Sequence, residues 1–136
     1  MRRFWTLLLT PVLALAFFMV ASPNANAFGA EVLGCSWGSG PWIANNCGGG
    51  DGTLTFSVHN LSGTYSYSWT LTGSGTTTIT SGCTATSSTC TVNAAPLGRQ
   101  DQTLTASLTL TQSGRSRTIT AQATILADYP IDCTKC

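Results

Sequence analysis

Tyr65-Ser66-Tyr67-Ser68-Trp69-Thr70-Leu71-Thr72-Gly73 is the stretch that decides how the rest of the chain is read. Its odd positions are large and apolar, and the residues between them are small and polar. A period of two marks a strand with one face buried and the other in water. A tryptophan in mid-strand brings a large apolar area to the centre of a small core. Tyr67, Trp69 and Leu71, with Phe56 from a neighbouring segment, are therefore expected to form the structural core.

The same alternation recurs on both sides. Thr53 to His59 places Leu54, Phe56 and Val58 on one face, and Asn60-Leu61-Ser62-Gly63 turns the chain into the Trp69 strand. Thr76 to Thr80 is a short edge candidate with Ile79 as its one large side chain, and Thr89 to Asn93 turns Cys90 and Val92 to one side. Thr103 to Thr111 aligns Leu104, Ala106, Leu108 and Leu110, and Arg117 to Leu126 aligns Ile119, Ala121, Ala123 and Ile125. Gln112-Ser113-Gly114-Arg115 between them is a hairpin turn. With a first strand near Glu31 to Trp37, this predicts an all-β fold of about seven antiparallel strands, packed as two sheets face to face. Gly48-Gly49-Gly50-Asp51-Gly52 is expected to be a turn, because Gly and Asp tolerate the positive φ that turns demand.

Met1-Arg2-Arg3, the apolar run from Leu7 to Ala21 and the small residues Ala25-Asn26-Ala27 have the layout of an export signal, and the run is short for a bilayer span. Residues 1–27 are thus expected to be cleaved. The mature chain of 109 residues divides into a Cys/Trp/Gly-rich segment with the first strand (28–52), the sandwich (53–127) and a Cys-containing tail (128–136). Its five carboxylates stand against three Arg and one Lys, a net charge of −1 that leaves no basic patch for nucleic acid. About a third of it is Ser and Thr, which suits strand faces turned to water.

All six cysteines, Cys35, Cys47, Cys83, Cys90, Cys133 and Cys136, follow the cleavage site. An even number in a short exported chain points to structural disulfides. Cys83 with Cys90 is the pairing the spacing favours, since it closes a short Ser/Thr-rich loop. Cys35 and Cys47 can pair with each other or with the two tail cysteines.

Tyr67-Ser-Trp69-Thr-Leu71-Thr-Gly73-Ser-Gly75-Thr76, followed by the Thr103 to Ile119 segment, resembles the strand C and strand F–G portions of bacterial immunoglobulin-like and PKD-type domains. The resemblance spans Thr53 to Leu126 and implies an immunoglobulin-like sandwich with Trp69 as its strand C tryptophan, which the cysteines above are expected to staple with disulfides. Leu71 and Ser74 stand where the PKD pattern has Phe and Asp, and the Thr103 to Thr111 strand lacks the cysteine of the antibody inter-sheet pair. A fold of this kind serves many functions.

Several short motifs suggest chemistry, and each has a plainer reading. Gly34-Cys35-Ser36-Trp37-Gly38 fits Gly-x-Ser-x-Gly, but a nucleophile elbow needs a strand-to-helix turn and a positioned histidine. His59, the one histidine, would need Asp51 or Asp101 beside it and a nucleophile to act as a base. Cys133-Thr-Lys-Cys136 is a Cys-x-x-Cys, yet the redox motif opens a helix and here the sequence stops. Zinc would want two closely spaced cysteine pairs, and Gly50-Asp51-Gly52 offers calcium a single carboxylate. Val32-Leu33-Gly34-Cys35 resembles a lipobox set well beyond the apolar run. No catalytic set, metal site or cofactor site is expected.

Trp37 and Trp42, with Phe28 nearby, lie outside the alternating strands. They are candidate binding residues for a protein or glycan surface, or else lids over one open end of the sandwich. The chain therefore reads as a secreted or periplasmic, non-enzymatic binding module. The alternative is a small inhibitor or effector that presents the Cys35–Cys47 loop to an enzyme.

Overall fold

A computed structural model describes residues 28–73 and 75–127. The leader and the tail with Cys133 and Cys136 lie outside the described residues. Nine strands account for most of the rest: β1 (Val32–Trp37), β2 (Ile43–Ala44), β3 (Asn46–Gly50), β4 (Gly52–His59), β5 (Ser66–Gly73), β6 (Thr76–Gly82), β7 (Thr89–Ala95), β8 (Gln102–Gln112) and β9 (Arg115–Ile125). They form a five-stranded sheet in the order β2-β1-β4-β7-β6 and a four-stranded sheet in the order β3-β9-β8-β5. Among the described residues there is no helix. The all-β reading holds, and every pairing is antiparallel except that of β3 with β9.

One core lies between the sheets, and the period-two faces build it. Leu54, Phe56 and Val58 of β4 and Cys90, Val92 and Ala94 of β7 meet Leu104, Ala106, Leu108 and Leu110 of β8 and Ala121, Ala123 and Ile125 of β9. Phe56 is fully buried, whereas Tyr67, Trp69 and Leu71 of β5 are only half-buried. The cause is position: β5 is the edge of its sheet, so its inward side chains are covered from one flank only. Trp69 still anchors the edge, because its indole N–H donates to the carbonyl of Ser87 at 2.9 Å. Tyr67 N–H likewise donates to Ala85 O, so the 83–90 loop covers part of β5.

The structure departs from seven strands in the Gly/Trp-rich segment. Gly48, Gly49 and Gly50 are not a turn but part of β3, lying parallel to β9. Glycines carry no side chains, so no alternation could mark them as a strand. What holds them is the backbone: Gln122 N–H donates to Asn45 O and Leu126 N–H to Gly50 O. The β8–β9 hairpin, by contrast, turns where the sequence says. Ser113 (φ 50°) and Gly114 (φ 76°) both take positive φ, as a two-residue primed turn requires.

Two disulfides form among the described residues. Cys83–Cys90 closes a short loop beside the β6–β7 pair, with Cα atoms 4.3 Å apart. Cys35–Cys47 joins β1 of one sheet to β3 of the other, with Cα atoms 5.6 Å apart, and both cysteines are buried. Two intramolecular disulfides mark an oxidising environment, extracellular or periplasmic.

Candidate functional site

The β1–β2 turn sets the two unassigned tryptophans on opposite sides of one sheet. After Trp37 the chain turns through Gly38 and Gly40, and β2 doubles back on β1, pairing Ile43 with Cys35 and Ala44 with Gly34. Trp37 shares the inward parity of Leu33 and Cys35. Its ring packs on Gly50, where a Cβ would come within 2.5 Å of the indole, and its N–H donates to Gly48 O at 3.4 Å. It closes one end of the sandwich.

Trp42 does the opposite. Its ring crosses the outer face of β1 at Gly34, where any Cβ would collide with the indole and with the Ile43 carbonyl. The indole N–H donates to Ser57 O on β4 at 3.3 Å, and the ring stacks on His59 with centroids 3.9 Å apart and planes 7° apart. Trp42 is half-buried and His59 is exposed. Phe28 belongs with neither tryptophan, because it stacks on Tyr65 at the other end of the sandwich.

Val32 and Ala44 flank the Trp42–His59 pair on the outer face, and beyond them the face is polar and uncharged. The registers align Gly34, Ser57 and Thr89 in one row and Ser36, Thr55 and Thr91 in the next. Asn93, between Thr53 and Thr78, extends the array. Thr55 and Thr91 join their hydroxyls at 3.1 Å. β1, β2, β4, β6 and β7 contain no Asp, Glu, Lys or Arg.

A second cluster, which the sequence reading missed, lies at the Phe28 end. The Glu31 side chain is fully buried, accepts from Tyr65 Oη at 2.7 Å and from Gly29 N–H at 2.7 Å, and pairs with Arg117 at 3.2 Å. Arg117 also donates to the carbonyl of Gly29. Burial pushes the Glu31 carboxyl upward. The hydrogen bonds from Tyr65, the Glu31 and Gly29 backbone and Arg117 outweigh it and hold the group below 4.5, its ordinary value. Burial and the bond to Glu31 push the Tyr65 phenol above 10.0, and burial raises Tyr67 likewise. Both Glu31 carboxylate oxygens and the Tyr65 hydroxyl have partners, so the cluster is a structural clasp on the start of the sandwich. Its only sequence signal was a lone Glu beside an apolar strand, and its partner Arg117 is 86 residues away.

The other candidate motifs come apart. Ser36 sits within a strand rather than on an elbow, and Cys35 beside it is in a buried disulfide, which leaves no thiol for a lipid. His59 ends β4 while Asp51 precedes its first residue, a full strand length away, and Asp101 accepts from Ala127 N–H. Among the described residues no three His, Cys, Asp or Glu side chains gather as a metal site, and no cavity opens. Comparison of the chain with models of known families, with curated proteins and with solved structures returns no match.

Proposed function

We propose that this chain is an exported, non-enzymatic immunoglobulin-like module that acts by binding a protein or glycan surface. The orders β1-β4-β7-β6 and β5-β8-β9 support the immunoglobulin-like reading, being those expected of A-B-E-D and C-F-G sheets, and on that reading Trp69 belongs to strand C. Export is supported by the leader pattern and by two disulfides that need an oxidising compartment. One observation carries the binding role: Trp42, a large ring left half-exposed, is held in a fixed pose on an open sheet face by Gly34, Ser57 and His59. Rigid aromatics placed in this way anchor partners at low entropic cost.

The inhibitor or effector reading has support in the Gly38-Ser39-Gly40-Pro41 tip, which is exposed and tied near both ends by Cys35–Cys47. That tip carries no anchor side chain, since both tryptophans fold back against the sheets. It ranks second for that reason.

Intact mass of the exported protein, with free thiols counted by alkylation, tests the module. The expected product begins at Phe28, is six hydrogens light and has no free thiol. A retained leader, or free thiols at Cys133 and Cys136, would overturn the exported, fully disulfide-bonded module.

A further inference from the structure

We infer that the outer face of the five-stranded sheet is a binding surface for an uncharged polysaccharide chain, with Trp42 as its stacking platform. The inference rests on the binding-module reading and names its ligand class. The internal comparison is the other sheet. Its outer face, along β5, β8 and β9, carries Ser68, Thr70, Thr109, Thr118 and Thr120 in similar rows but no aromatic ring. Only the five-stranded sheet adds one, and the chain makes room for it with a glycine at position 34.

The chemistry of the two parts is complementary to a sugar. A pyranose ring has an apolar C–H face that packs on an indole, here on the Trp42 face opposite the stacked His59, and an equatorial rim of hydroxyls that both donate and accept. Ser36, Thr55 and Thr91 in the row next to the platform, and Asn93 one row further on, supply donors and acceptors of both kinds. Neighbouring strands lie about 4.8 Å apart, close to the length of one sugar unit, so a chain crossing the strands runs along such a row and meets one strand per sugar. The charge balance selects the ligand further. No strand of this sheet carries a charged side chain, so a uronic-acid or sulfated polymer would be desolvated here with no cation to compensate.

Depletion of the purified, disulfide-intact protein from solution by microcrystalline cellulose, chitin and insoluble mannan tests the inference. Binding to at least one is expected, with Trp42→Ala weakening it at least tenfold and Trp42→Phe retaining most of it. Thr91→Val and Asn93→Ala, which leave the core untouched, are expected to weaken it several-fold. Thr118→Val on the opposite sheet should have no effect. Thermal unfolding confirms that each variant is folded, and if Trp42→Ala fails to fold, the Thr91 and Asn93 variants decide alone. Absence of depletion on all three solids would overturn the ligand class while leaving an exported, fully disulfide-bonded protein standing as a module. Depletion that none of the Trp42, Thr91 and Asn93 substitutions weakens would overturn the site.

Discussion

The two ends of the sandwich are closed by opposite kinds of chemistry. At one end a buried carboxylate, Glu31, gathers Tyr65, Gly29 and Arg117 into a hydrogen-bonded clasp, with Phe28 stacked on Tyr65. At the other, Trp37 lies on Gly50 of β3, and Cys35–Cys47 holds that strand against β1. The polar end needs every partner in place, because a buried charge is stable only when fully compensated. The aromatic end needs an empty space, because the indole fits only where a side chain is missing. One end therefore depends on paired polar groups beneath an aromatic stack, the other on a single large ring seated on a glycine.

The aromatic end should show the larger effects. Removing the inter-sheet link with Cys35→Ala/Cys47→Ala frees a loop spanning 12 positions, and the chain-entropy model puts the loss at about 3 kcal/mol. Denaturant unfolding of the double variant measures it, and β3 amides should lose hydrogen-exchange protection before those of β8. A uniform loss over both sheets would mean that β3 is not a separately held element. Gly50→Ala is next. Its new Cβ meets the Trp37 ring, so either the indole leaves its seat or the backbone shifts, a cost of about 1–3 kcal/mol. An unchanged midpoint with unchanged Trp fluorescence would show that Trp37 closes nothing.

The ends are also where the sequence was least legible. Between them, the alternation of Leu54, Phe56 and Val58, of Leu104 to Leu110 and of Ile119 to Ile125 assigned the core faces, because a strand with one wet face writes its period into the chain. β3 left no such trace, since Asn46-Cys47-Gly48-Gly49-Gly50 holds one inward side chain, Cys47, and its partner β9 lies more than seventy residues on. The tryptophans were visible as leftovers, but their facing was not. Trp37 and Trp42 are five residues apart, and the direction of each is set by a glycine on another strand, Gly50 or Gly34. The expected Cys83–Cys90 pair formed because a tight loop on adjacent strands leaves little choice, whereas Cys35–Cys47 depended on the unforeseen β3.

The smallest effect belongs to the polar end, and its signature is pH. Glu31→Gln keeps the shape of the side chain and removes its charge, which weakens the bonds from Tyr65, Gly29 and Arg117. Arg117 is 38% exposed, so water takes over part of its role and the loss at neutral pH should be only about 1 kcal/mol. The Glu31 carboxyl is held below its ordinary 4.5 in the folded protein, so its contribution is complete above that value and is lost as pH falls through the folded value. The melting temperatures of wild type and Glu31→Gln should accordingly differ at pH 7 and converge below about pH 4.5. Gly50→Ala changes no charge, and its deficit should stay constant over the same window. If the Glu31→Gln deficit also stayed constant, the clasp would act through packing alone, and the two ends would be alike after all.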